Sequence, residues 1–311
     1  MTPGPVQVVA VTVTYNGATV LGPFLESALR QRGVVFHLVI IDNASSDPTR
    51  VMLEAINDCR VTTIFNDTNT GVAAANNQGI AWALDHGAAR VLLINNDTEF
   101  DDALFARLDT RLSELGVQAL TPLIPFYAEP AFAWYAGGSF KKLRGMISFH
   151  DDYRRRIEIL PTEARRVDYA PTCCLMVDSS VFAKIGTMDE QYFVYWDDSD
   201  FCWRMGLAGL AIWYDPHLRL LHKVSSSTGG SESDFSIKYT HRNQMYFIRK
   251  FHNNYWLFYA IVIMFLKISL RLILGKDPLD KVIKRFAAMR VGLAMPIVTD
   301  LLDQNSKRTI A

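Results

Sequence analysis

Residues 35–48 read Val-Phe-His-Leu-Val-Ile-Ile-Asp-Asn-Ala-Ser-Ser-Asp-Pro. An apolar, β-branched run of strand length ends on Asp42 and crosses a polar turn. It then reaches Asp47-Pro48, a capping residue followed by a proline, which is suited to the first helical position because its missing N–H has no partner there in any case. The same passage recurs on either side. Val6–Val13, Val61–Phe65 and Val91–Ile94 are further runs of strand length, and amphipathic patterns cover about Val20–Arg30 and Val72–His86. Strand–helix–strand alternation predicts an α/β fold with a doubly wound parallel sheet. Such a sheet binds ligands at the carboxyl ends of its strands. Those ends carry Thr14-Tyr15-Asn16, Asp42–Asp47, Asn66 and Asn95-Asn96-Asp97. Asn, Asp and Ser are good turn residues wherever they fall, but four strand ends bearing them together predict one polar rim.

The chain has 311 residues, half of them hydrophobic and a fifth charged, so a packed core is expected. Net charge is zero but unevenly placed. Residues 235–311 hold thirteen Lys/Arg against four Asp/Glu, net +9, and the rest holds nineteen against twenty-eight, net −9. An acidic body with a basic tail predicts two surfaces with different partners. The spacing of Cys59, Cys173, Cys174 and Cys202 fits neither a zinc site nor a disulfide framework, so reduced core thiols are expected. No basic-then-apolar signal segment opens the chain.

The second half is less regular. Residues 120–160 read as strands and a mobile loop, Asp168–Val177 as a strand, and Gly186–Glu190 as a turn. Leu210–Tyr214 and Leu218–Leu221 read as two short strands, the second ending at His222, and Ser225–Ser233 as a flexible linker. From Tyr239 the pattern turns helical and basic. Tyr255–Leu274 is apolar and aromatic but interrupted by Lys267 and Arg271, short of the roughly 20 uncharged residues of a spanning helix. It fits a helix lying in a membrane interface with cations toward anionic headgroups; an apolar helix packed on the sheet or in a dimer interface is the alternative. Two domains are expected, 1–234, which carries the sheet, and 235–311, helical and membrane-interfacial.

Val194–Arg204, Val-Tyr-Trp-Asp-Asp-Ser-Asp-Phe-Cys-Trp-Arg, puts Asp197, Asp198 and Asp200 among aromatic residues. Buried carboxylates need partners and aromatics seek burial, and a cleft wall reconciles the two and makes a carboxylate available as a base. A solvated acidic loop is the alternative. Trp196 and Trp203 read as core residues before sugar-stacking ones. Asp97 at a strand end can hold Mg²⁺ or Mn²⁺ against a diphosphate, and His222 is a second ligand only if the two meet in space. Glycine-rich dinucleotide and P-loop fingerprints are both missing, which argues against an oxidoreductase and a P-loop nucleotidase.

Four motifs follow in order: Val-Thr-Tyr-Asn ending at Asn16; Ile-Asp-Asn-Ala-Ser-Ser-Asp ending at Asp47; Asn-Thr-Gly-Val-Ala-Ala-Ala-Asn-Asn-Gln-Gly from Asn69 to Gly79; and Leu-Ile-Asn-Asn-Asp-Thr ending at Thr98. Gly186–Glu190, Tyr195–Arg204 and Leu221-His222-Lys223 continue the series. Together they resemble the family 2 inverting glycosyltransferases, in particular a rhamnosyltransferase-like branch, over about residues 6–250. The resemblance implies a GT-A fold, a nucleotide-sugar donor (dTDP-rhamnose first, UDP-galactofuranose or another UDP-sugar second) and Mn²⁺ or Mg²⁺. It implies a glycan or lipid-linked acceptor at the cytoplasmic face of the cell membrane, with no nucleic-acid partner, and leaves homo-oligomerisation open. It assigns Thr14, Tyr15, Asn16, Asp42, Asn69, Gly71, Asn76 and Asn96 to the donor pocket and Asp97 to donor and metal. His222 is assigned to the metal, Asp198 to the catalytic base and Asp197 to its support. Two departures stand out, Asn-Asn-Asp for Asp-x-Asp and Asp-Asp for the commoner Glu-Asp. The first keeps a catalytically inactive nucleotide-sugar scaffold as an alternative, and a nucleotide-sugar hydrolase would use the same donor residues.

Overall fold

The computed structural model describes residues 7–224 and 233–299. Its strands are β1 (Val8–Thr14), β2 (Phe36–Asp42), β3 (Val61–Phe65), β4 (Arg90–Ile94), β5 (Thr98–Glu99), β6 (Ala119–Pro125), β7 (Ala133–Tyr135), β8 (Gly138–Lys141), β9 (Ile147–His150), β10 (Arg165–Val167), β11 (Cys174–Asp178), β12 (Ile212–Arg219) and β13 (Leu221–His222). Its helices are α1 (Ala18–Leu29), α2 (Thr49–Glu54), α3 (Val72–Asp85), α4 (Leu104–Leu115), α5 (Ser180–Ile185), α6 (Asp197–Leu207), α7 (Asp234–Phe251), α8 (Asn254–Ile273) and α9 (Leu279–Ala294).

The central sheet runs β10-β12-β6-β11-β4-β1-β2-β3, with β7 joined to β6. β4, β1, β2 and β3 are parallel, as the alternating pattern predicts. β11 is antiparallel to both neighbours, β4 and β6. The chain enters these two ladders only at Cys174, which lies opposite Ile94. The strand expected over Asp168–Val177 is accordingly confined to Cys174–Asp178. The two short strands expected after Leu210 are one continuous β12, irregular between Asp215 and Arg219, followed by β13.

The β-branched residues of β1, β2 and β4 are sealed between layers, since a sheet covered on both faces exposes neither side of its pleat. α3 lies close on this layer because Gly79 has no Cβ; one there would stand 2.2 Å from Val11 Cγ1. The second helix starts at Thr49, one residue later than expected, with Asp47 Oδ1 accepting the Thr49 N–H at 3.0 Å. Asp47 Oδ2 takes the Ala18 N–H at 3.1 Å, so one carboxylate caps two helices.

A second apolar cluster joins α7, α8 and α9 to Met146, Tyr192 and Trp196 of the first 234 residues. Helix α8 is long and apolar enough to cross a membrane, with mean hydropathy 2.0, although Lys267 and Arg271 break the uncharged run. Apart from Ser233, the expected flexible linker lies outside the described residues. Cys173, Cys174 and Cys202 are buried and reduced, while Cys59 is exposed.

Candidate active site

The carboxyl ends of β1, β2 and β4 form the predicted rim. Asn96 Nδ2 donates to Thr14 Oγ1 at 2.8 Å, both buried, which ties the end of β4 to the end of β1. Asn16 adopts φ +50° and its Oδ1 accepts the Ser46 N–H at 2.8 Å, so the first and second strand ends are joined as well. Tyr15 is exposed beside them, and Asp42 is buried with Oδ1 facing the Ser45 N–H at 3.3 Å.

The third motif is held by a hydrogen-bond network. Asn43 Oδ1 accepts from Thr70 N–H and Thr70 Oγ1, both at 3.0 Å, and its Nδ2 donates to Asn69 Oδ1 at 2.9 Å. Asn69 Oδ1 also accepts the Gly71 N–H at 3.0 Å. The Asn69 side chain therefore shapes the loop before α3. Gly71 sits at φ +87°, and a Cβ there would stand 2.5 Å from the Phe193 carbonyl. Asn76 is buried with Nδ2 on Met188 Sδ at 3.8 Å, facing the 186–193 loop. Asn43 and Asn66, expected in the polar rim but given no role in the donor pocket, form the centre of this network, with Asn66 Nδ2 donating to Asn43 Oδ1 at 3.1 Å.

Asp97 and His222 meet. Leu221-His222 pairs with Thr98-Glu99 as a two-residue antiparallel ladder, with His222 opposite Thr98, and the Lys223 N–H donates to the Asp97 carbonyl at 2.9 Å. This brings His222 Nε2 to 3.2 Å from Asp97 Oδ1, both side chains being buried. Neighbouring ligands on one octahedral cation, each about 2.1 Å from it, stand about 3 Å apart. His222 Nδ1 has no hydrogen-bond partner among the described residues, and with the proton on Nδ1 the imidazole offers its lone pair at Nε2, the nitrogen that faces Asp97. No cluster of three or more His, Cys, Asp or Glu suited to a metal occurs among the described residues. The pair thus fits a hard cation that takes its other oxygens from a diphosphate and water.

The acidic cluster is neither a loop nor solvated. Asp197, Asp198 and Asp200 occupy the first turn of α6, where the helix N-terminus favours negative charge. Phe193, Tyr195 and Trp196 all have positive φ just before it, so a strained backbone turns the chain into the helix. Asp198 is half-buried; its Oδ2 accepts the Tyr169 hydroxyl at 2.6 Å and its Oδ1 the Ser199 N–H at 2.7 Å. Burial pushes its pKa above the usual carboxylate range while those hydrogen bonds oppose the rise. Asp197 is buried, and its Oδ2 lacks a partner among the described residues. Burial, and then the adjacent Asp198 charge, raise its pKa as well. Two neighbouring carboxyls raised together retain a proton that isolated ones would lose.

Asp200 differs from its neighbours. Arg204 Nε at 2.6 Å and Lys250 Nζ at 2.6 Å donate to it, and Lys250 also reaches Asp189 at 2.7 Å. Burial acts to raise Asp200, but the two cations outweigh it and hold the pKa low. This carboxylate anchors α6 to α7.

Aromatic rings connect the two centres. Trp134 packs against His222 and His150 at 4.4 and 4.5 Å, and His150 stacks on Tyr169 at 5.8 Å, whose hydroxyl serves Asp198. Tyr169 escaped the sequence reading because it lies outside any motif that was read. Trp196 and Trp203 pack on Phe247, in keeping with core roles.

A mixed α/β sheet, mostly parallel, with a polar rim at its strand ends is the architecture of a GT-A-type fold. Residues 9–186 match Glycosyl transferase family 2, and the chain belongs to that family. It is a glycosyltransferase, and such enzymes act on a nucleotide-sugar donor and a glycan acceptor. Relatives include a dTDP-rhamnosyl transferase, RfbF, of Shigella flexneri, 22% identical over 71% of this chain and 71% of that protein. The low-salt glycan biosynthesis hexosyltransferase Agl10 of Haloferax volcanii is 24% identical over 68% of this chain and 66% of that one. The N-acetylglucosaminyl-diphospho-decaprenol L-rhamnosyltransferase of Mycobacterium tuberculosis is 33% identical, over 32% of this chain and 33% of its own length. Among solved structures, GalNAc-T7 with UDP, GalNAc and Mn²⁺ superposes with a TM-score of 0.62 at 15% identity, covering 81% of this chain and 49% of that one. That likeness is one of fold.

Proposed function

We propose that the protein transfers rhamnose, with inversion, from dTDP-rhamnose to a hydroxyl of a lipid-linked or cell-surface glycan at the cytoplasmic face of a membrane. The observation that carries the reading is the Asp97–His222 approach, joined through Trp134, His150 and Tyr169 to Asp198.

Thr14, Tyr15, Asn16, Asp42 and Asn96 line the nucleotide side, while Asn69, Gly71 and Asn76 shape the loop and helix that close it. Asp97 and His222 hold a divalent cation, Mn²⁺ or Mg²⁺. Once bound, that cation supplies Lewis-acid stabilisation of the departing diphosphate. Asp198 takes the acceptor proton; Tyr169 orients it and favours its ionised form; Asp197 keeps a proton and limits local repulsion. Partial desolvation makes the Asp198 carboxylate a stronger base than one in water. Residues 120–165 select the acceptor.

A hexose from a UDP-sugar is the second reading, favoured by the hexosyltransferase relative. Donor binding across dTDP- and UDP-sugars, with and without Mn²⁺, decides between them. Metal-dependent binding of dTDP-rhamnose with transfer to a lipid-linked acceptor supports the first reading. Binding of a UDP-sugar alone establishes the second, and binding of neither removes both.

The apolar, basic C-terminal region rests on the inner face of the membrane. Tyr255, Phe258, Phe265, Leu266, Leu270 and Ile273 present an exposed stripe on α8, while Ala260, Met264 and Ile268 face the protein. Cosedimentation with anionic vesicles tests this placement.

A further inference from the structure

We propose that the β8–β9 turn, Lys142-Leu143-Arg144, inserts into an anionic bilayer beside α8, so that one rigid hairpin runs from the membrane to the catalytic helix. The inference rests on the reading that α8 meets a membrane.

Leu143 is 73% exposed at the tip of the hairpin, between two exposed cations. An isolated exposed leucine needs no explanation; this one is held in place from three sides. The Tyr259 hydroxyl on α8 donates to the Leu143 carbonyl at 2.9 Å. Lys267 Nζ on α8 donates to the Arg144 carbonyl at 3.1 Å, and Gln244 Nε2 on α7 to the Gly145 carbonyl at 2.6 Å. Met146, the next residue, is buried in the helical cluster. The tip therefore stands along the Tyr259–Lys267 edge of α8, next to the exposed Leu266 and Leu270 of its stripe.

The charge around it selects the occupant. Lys142, Arg144, Lys267, Arg271 and Lys276 border the apolar stripe, and Asp277, which follows them, is buried and taken by Arg271 and Arg285. Apolar side chains bordered by cations complement acyl chains beneath anionic headgroups. A second copy of the chain would bring the same cations together.

The other end of the hairpin touches the site. Ser148 on β9 accepts from Ser199 Oγ at 2.9 Å, next to Asp198, and His150 stacks on Tyr169. The same two strands thus fix the distance and tilt of the base relative to the bilayer, as a lipid-anchored acceptor requires.

The experiment uses the full chain with Cys59→Ser, which leaves only buried cysteines, and Leu143→Cys carrying an environment-sensitive fluorophore. Phosphatidylcholine vesicles with and without phosphatidylglycerol are the probe, and a label at Val51→Cys, on exposed α2, is the reference. The expected result is a blue shift at position 143 with anionic vesicles and none at position 51. Lys142→Gln with Arg144→Gln should weaken vesicle binding about twenty-five-fold, at roughly fivefold per cation lost. Cosedimentation with the label at 143 still in water overturns the inference and leaves the α8 reading intact. Failure to cosediment, with a dimer in solution that shields position 143, overturns both.

Discussion

Asp97 and His222 belong to opposite halves of the chain, yet His222 Nε2 stands 3.2 Å from Asp97 Oδ1 because two-residue strands pair across that gap. An Asn-Asn-Asp sequence therefore gains in space the second donor it lacks in the motif. Replacing Asp97 by Asn or His222 by Ala should abolish the Mn²⁺-dependent part of donor affinity, about tenfold or more, or 1.4 kcal/mol. Metal-free donor binding should hardly change. Calorimetric titration of donor with and without Mn²⁺ checks this, and an unaltered metal dependence in both variants would remove the pair from the cation site.

Asp198→Asn deletes the proposed base while conserving volume. A positioned base contributes about 10²- to 10⁴-fold, so kcat should fall within that range while donor affinity persists. Transfer measured beside donor titration separates the two, and near-normal kcat would refute the assignment.

Tyr169→Phe removes the hydroxyl that stabilises ionised Asp198. A hydrogen bond to a charged group is worth about 1.5–3 kcal/mol, so the acidic limb of the pH–rate profile should move up by about one pH unit or more. The sign follows from the base: Asp198 already titrates above the ordinary carboxylate range because of burial, activity rises with pH as it ionises, and losing the donor delays that ionisation. Asp197→Asn should leave the limb nearly where it is, since Asp197 is held protonated, and so neutral, while Asp198 ionises. A purely structural Tyr169 would lower kcat at every pH alike.

Lys250→Met leaves Asp189 and Asp200 buried with a charge uncompensated. Breaking a buried pair by removing one partner costs about 3–5 kcal/mol, which thermal or denaturant unfolding will register. Asp200 is held below its unfolded pKa, so its contribution is present above about pH 4 and is lost as pH falls through the lowered native value. Asp200→Asn should therefore flatten the acid limb of the stability curve.

Gly71→Ala forces a Cβ to within 2.5 Å of the Phe193 carbonyl at φ +87°, where alanine is strained even without a clash. Because backbone on both sides must shift, a loss of about 2 kcal/mol or more is expected, with weaker donor binding. A wild-type melting temperature would show that the 71–72 and 193 segments separate readily.

The sequence by itself determined the parallel half of the sheet, because each strand carries a continuous apolar run and each polar turn follows at a strand's carboxyl end. Val35–Pro48 needs no partner to be read, since strand, turn and helix start are all local signals. Asp42, Asp97 and Asn96 were legible for the same reason. The second half was not. β11 lies antiparallel between β4 and β6, β12 continues through Pro216 and His217 where the pattern suggested a break, and for the three carboxylates of α6 the resemblance assigned roles to which the local sequence gives no physical reason. Only tertiary structure separated them: Arg204 and Lys250 reach Asp200, Tyr169 reaches Asp198, and nothing among the described residues hydrogen-bonds Asp197 Oδ2. Whether a carboxylate is an anchor, a base or a proton holder depends on charges and donors brought from distant segments, and on the burial that makes those partners count, neither of which is a local property of the chain.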